Sequence, residues 1–159
     1  MGNPAASAIN PQDLRSPITR AGYEYWLCKK ADRPFPARCD FDPLIEQPLL
    51  ARYLALMEVR REPLDFRYRL IGSAVRGHMF ADWTGRWMSE IPVQRAPNPV
   101  WQHAVWVSEQ KAPRFYCPTN VGPHKESRVI EVALLPLGPD SGNVTMMMAF
   151  IDFMVKAVA

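Results

Sequence analysis

The sequence predicts an α+β fold in which one antiparallel sheet is covered on one face by helices. Three observations predict it. Extended runs stand on both sides of a helical middle. The first two runs are joined by a loop that suits only an antiparallel turn. A chain of 159 residues is long enough for one domain with a real core and short for two.

Each element follows from its own signals. Residues 1–15 are small, polar and interrupted by proline, and read as a flexible tail ahead of a single domain over 16–159. Ser16-Pro17 is a cap followed by proline at the first helical position, starting a helix to about Lys30 with Ile18, Ala21, Tyr25 and Cys28 on one face, widened by Trp26 and Leu27. The proline-rich stretch that follows is irregular until Asp42-Pro43 repeats the start signal for a short helix through about Leu50. "YLALMEVRR" (53–61) and "DFRYRLIG" (65–72) are extended and are joined by Glu62-Pro63-Leu64 as a hairpin.

Beyond Gly72 the alternation stops, and one or two short helices are expected. Asn98-Pro99 then caps a longer helix that carries Trp101, Ala104, Val105 and Ser108 on one side and ends before Pro113. Three extended segments close the chain at 114–118, 127–137 and 143–153, the last two connected by Gly138-Pro139-Asp140-Ser141-Gly142. With so few helices, the second sheet face must be solvated, covered by the first helix or used for pairing with another chain.

Composition narrows the function classes. Apolar residues make up 48% of the chain and charged ones 22%, the mix of a globular protein. A net charge of +3 without a basic block gives nucleic acid only a weak claim, so none is expected as a partner, and no apolar run reaches the roughly 20 residues needed to span a bilayer. The N-terminal "MGNPAAS" carries Ala6 where a myristoylation signal needs Ser or Thr. Cys28, Cys39 and Cys117 match no metal or CxxC spacing, which points to a reduced, cytoplasmic setting and no metal site.

"ARCDFDPL", "FRYRLIGSAVR" and "DWTGRWMSEI" in succession, within the order β-β-α-α-α-β-β-β, resemble landmarks of a PAS-like family of small, often single-domain proteobacterial signalling proteins. The similarity covers roughly residues 23–153. Matching positions are Pro36, Arg38, Asp40, Asp42 and Pro43, then Tyr68, Arg69, Gly72 and Ser73, then Asp82, Thr84, Gly85 and Arg86. Ala81 departs from the pattern by standing where relatives tend to carry glycine, so a positive φ there would be strained. The resemblance implies strand order 2-1-5-4-3 with a helical cradle over the concave face. Residues 73–86 would then form the cradle wall, with Gly72 leaving the sheet, Ser73 and Asp82 or Thr84 as caps, and Gly85 turning the path.

The cradle's candidate ligand-binding lining is Phe66, Tyr68 and Leu70 from the second strand, Met146 and Met148 with Val144 and Phe150 from the last, His78 and Trp83 from the wall, and Trp101 and Val105 from the long helix. Methionine at 146–148 is compatible with a soft ligand, but core packing is the stronger reading. Among His78, His103 and His124, His78 is the best-placed haem ligand; haem and flavin are both disfavoured, and no cysteine motif suggests a photoactive flavin adduct. Arg60, Arg67 and Arg69, with Arg61 on the other parity, form the sharpest phosphate-binding alternative. Their bland counterpart is a solvated face neutralised by Glu58 and Asp65.

A catalytic reading, with His103, Asp82 and Glu109 in a small α+β cone, lacks a nucleophile elbow, metal cluster or phosphate loop, and Glu131 and Asp152 are expected to face outward. The expectation is therefore a non-enzymatic sensory module. It would act through a small ligand, through protein contact, or through both, as a homodimer or on a separate signalling protein. Tyr23, Trp26 and Leu27 of the first helix are the candidate contact residues.

Overall fold

A computed structural model describes residues 7–118, 128–139 and 142–156. Five strands form one antiparallel sheet in the order β2-β1-β5-β4-β3: β1 (Leu54–Arg60), β2 (Asp65–Ile71), β3 (Arg114–Tyr116), β4 (Arg128–Leu137) and β5 (Met146–Val155). The expected topology is therefore present. Each sheet edge carries a single bridge, Ile9 beside Phe115 on β3 and Trp87 beside Arg67 on β2.

Helix α1 (Pro17–Lys30) begins as its signals predict, with the Ser16 side chain accepting from the N–H groups of Ile18 and Thr19. The short helix expected after Asp42 is two helices, α2 (Pro43–Glu46) and α3 (Pro48–Ala51), divided where Pro48 cannot continue the ladder of α2. Helix α4 (Ser73–Arg76) follows Gly72, and α5 (Pro99–Gln110) is capped by Asn98 accepting from Val100 N–H. At Gly72 the need is space rather than an unusual φ, because a Cβ would lie 2.4 Å from the Arg52 carbonyl oxygen. Gly85 does have a positive φ, 86°, and turns the chain back onto β2, where its N–H meets the Tyr68 carbonyl. Ala81 is not among the positive-φ residues, so the strain anticipated there does not arise. Asp82 caps no helix; it accepts from Thr84 N–H and Oγ1 within a turn.

The segment expected to be loose through residue 15 is anchored in its second half. Leu14 is buried, Ile9 N–H donates to the Phe115 carbonyl, and the N–H groups of Arg15 and Ser16 each donate to the Glu131 carboxylate at 2.9 Å. Glu131 is 1% exposed and also accepts from Thr19 Oγ1, while Asp152, directly opposite it on β5, accepts from Ser16 Oγ at 2.7 Å. Two carboxylates on the sheet thus seat the start of α1. Trp26 completes the docking, 1% exposed and donating from Nε1 to the Pro136 carbonyl at 2.9 Å. The second sheet face is consequently covered by α1 over β4 and β5 and carries charge over β1 and β2.

Candidate functional site

Strand alternation divides the side chains cleanly between the two faces. Ala55 and Met57 of β1, Ile130, Val132 and Leu134 of β4, and Ala149, Ile151 and Phe153 of β5 share the face opposite α1, with Tyr68 and Tyr116 from the flanking strands. Over them lie Val75 of α4, the wall segment with His78, Met79, Phe80 and Trp83, then Met88, Val93 and Gln94, and finally Val100 and Ala104 of α5. These two layers do not meet completely. They enclose a cavity of about 280 Å³, just under the roughly 300–1,000 Å³ usual for small-molecule sites.

The wall is held by specific contacts. His78 Nδ1 lies 2.9 Å from the Ala74 carbonyl, which can only accept, so the ring carries its proton there. The same ring stacks on Phe153 with centroids 4.1 Å apart and planes 8° from parallel. The Tyr68 hydroxyl donates to Gln94 Oε1 at 2.7 Å, tying β2 to the segment ahead of α5. Burial pushes the Tyr68 phenol up to about 12, against the hydrogen bond to Gln94, and burial raises Tyr116 as well. Both hydroxyls stay neutral at physiological pH. His103 stacks on Tyr116 at 3.7 Å and receives Arg114 Nε–H on Nδ1.

No carboxylate, lysine or arginine lines the cavity among the described residues, and no group of acidic, histidine or cysteine side chains there could hold a metal ion. No helix is long and apolar enough to cross a membrane among the described residues. The family described as "PAS domain" matches residues 14–151. The chain belongs to the PAS domain family. That membership places it in a class of sensory modules of signal transduction. A solved fungal LOV domain photoreceptor, described in connection with a pathway integrating blue light and oxidative stress, is 14% identical over 72% of this chain and 83% of that one, with a TM-score of 0.45. No curated protein matches.

In this PAS domain the residues nominated from sequence separate into three groups. Tyr68, His78 and Trp83 line the cavity. Phe66 of β2 and Trp101 of α5 pack edge to face at 5.2 Å and are not among the residues lining the cavity, and Val105 is only partly buried on the flank of α5. The third group lies on the wrong face. Met146 and Met148 share the parity of Phe150 and Asp152, on the α1 side, so Met147 rather than its neighbours points into the cradle layer. Leu70 is turned away by a bulge: Leu56 pairs with Leu70 and Met57 with Tyr68, leaving Arg69 as the extra residue and giving Ile71 the cradle parity.

The long helix is likewise rotated by about one position from the face read in the sequence, burying His103, Ala104, Val107 and Ser108. Gln94, Met79 and Val93 were not anticipated, because residues 77–98 have no period from which to read a face, and Val100 was missed with the rotated face of α5.

The arginine cluster forms, but Glu58 and Asp65 already pair with its three guanidinium groups. Arg67 Nε is 2.7 Å from Glu58 Oε1, Arg69 lies 3.8 Å from the same carboxylate, and Arg60 pairs with Asp65 at 3.4 Å. Arg60 and Arg67 also stack over the Trp87 ring, at 4.0 and 5.1 Å. Arg61 faces elsewhere and donates to the Val144 carbonyl. Of the contact candidates on α1, Trp26 is spent on its own sheet, Tyr23 packs on Trp26 and Phe115, and Leu27 remains 42% exposed. His124 lies outside the described residues. Cys28 and Cys39 are on the surface, and Cys117 is not among the lining side chains.

Proposed function

We propose that this PAS domain is a non-enzymatic sensor that holds a small molecule between its helical layer and its sheet. The cavity of about 280 Å³ is the observation that carries the reading, because closely packed interiors leave few voids larger than a water molecule. Its lining of apolar and aromatic side chains with a few convergent polar groups is the usual make-up of a ligand site. The absence of ionisable pairs in the described lining supports binding over catalysis. Output then passes by noncovalent contact, within a homodimer or with a separate signalling protein, and Leu27 is the contact candidate that still faces outward.

The phosphate-receptor alternative is weakened by Glu58 and Asp65, which would have to be displaced or repelled by an incoming phosphate. Native mass spectrometry of protein purified from its own host tests the sensor reading. A retained small molecule, lost on denaturation, is the expected result. Protein that carries nothing and whose melting temperature no metabolite raises would refute it.

A further inference from the structure

Gln94 occupies an unusual position for an amide. It is 5% exposed, it lines the cavity, and its Oε1 is taken by the Tyr68 hydroxyl. The other end of the carboxamide, Nε2 with two N–H donors, has no hydrogen-bond partner among the described residues. The residue borders the empty volume, so a bound acceptor can take these donors. The rest of the described lining holds no lysine, arginine or carboxylate to pair with an ion, and the His78 ring gives Nδ1 to Ala74 and its face to Phe153. The side chains Phe80 and Val93 belong to the lining yet are 62% and 50% exposed, so the way in is apolar as well.

Resting on the sensor reading above, we propose that the cavity takes an uncharged, mainly apolar, ring-bearing molecule with one hydrogen-bond acceptor of the carbonyl type, which receives the N–H groups of Gln94. Aromatic walls from Tyr68, Trp83, Tyr116 and the His78–Phe153 stack suit a flat ring system. A carboxylate of the same shape would lose its hydration without gaining a counter-ion.

Three probes of one shape separate these terms: acetylnaphthalene, ethylnaphthalene and naphthoate, substituted at the same ring carbon and titrated into the full chain by amide NMR. Acetylnaphthalene should bind roughly three- to tenfold tighter than ethylnaphthalene, the range of one net hydrogen bond, and at least about tenfold tighter than naphthoate. Gln94→Met, close in volume, should bring the acetyl-to-ethyl ratio to about one while leaving ethylnaphthalene affinity nearly unchanged. Equal affinities of the acetyl and ethyl compounds for the wild-type chain would overturn the role of Gln94, and naphthoate binding as tightly as the ketone would overturn the neutral-ligand assignment. Both results presuppose that a neutral probe binds. If neither neutral probe binds while the purified protein retains a small molecule, the neutral ring-bearing class is overturned and the sensor reading stands; if it also retains none, the sensor reading fails with it. Should Gln94→Met not fold, the wild-type ranking decides alone.

Discussion

Filling the cavity from α5 is the sharpest physical test of whether the space between the layers is open in the free protein. Ala104 is 1% exposed and lines the cavity, so Ala104→Leu sends the equivalent of three methylenes into it. At about 0.8 kcal/mol per buried methylene the transfer gain is at most about 2.4 kcal/mol. Fixing the leucine rotamer returns about 0.5–1 kcal/mol of that. A net stabilisation of about 1.5 kcal/mol remains, which for a domain of this size is a rise in melting temperature of roughly 3–6 °C. Were the layers closed in solution, the same substitution would overpack them and cost about 1–3 kcal/mol. The sign of the shift in a thermal or urea melt therefore decides. A melting temperature lowered by several degrees refutes the open cavity, and a raised one should coincide with weakened binding of any neutral probe.

Three further outcomes follow from contacts elsewhere in the fold. Gly22→Ala, which helix propensity alone would make favourable by about 1 kcal/mol, should destabilise by about 1–3 kcal/mol in urea melts, because the new Cβ meets the Phe150 ring at 2.4 Å; a gain would show that α1 is not seated this closely. Glu131→Gln replaces one acceptor oxygen with a donor facing the N–H groups of Arg15 and Ser16 and the Thr19 hydroxyl, and should cost about 2 kcal/mol by the same measurement; a loss under about 0.5 kcal/mol would refute the anchoring role. Glu46 is held down from its ordinary 4.5 to about 2 by hydrogen bonds from Lys29, from the Tyr25 hydroxyl and from the Asp42 N–H. Since the unfolded chain binds the proton first, this contribution is present above 4.5 and is lost as pH falls toward about 2. The stability gap between wild type and Glu46→Gln should narrow across that window, and a gap independent of pH would rule the linkage out.

How much of this was legible beforehand depends on how periodic each segment is. Helix starts were readable because Ser16-Pro17 and Asn98-Pro99 are local devices whose hydrogen bonds stay within a turn. Strand positions followed from alternation, and β1 and β2 fall within a residue or two of their expected limits. The face of α5 was half legible: Ala104 and Ser108 face inward as expected, but the bulky Trp101 and Val105 are only partly buried on its flanks, and His103 and Val107 are buried in their place. Gln94 carried no signal, since a single amide in an aperiodic segment gives no direction until Tyr68 is placed beside it.

The parity of β5 is the instructive error, because the chain did contain the information that settles it. Three consecutive methionines have no polarity and point nowhere. Asp152, in the same alternation as Met146, Met148 and Phe150, has a definite preference: a carboxylate in an apolar cavity without a counter-ion is costly, so its parity belongs to the other face. Its cross-strand partner Glu131 repeats the argument on β4. With both acids assigned away from the cradle, Ile130 and Val132 on one strand and Ile151 and Phe153 on the other fall onto the cavity side, where the structure has them. The two carboxylates that seat α1 and the four apolar side chains that floor the cavity are thus one alternation seen from its two faces, and a shift of β4 or β5 by a single residue would exchange them.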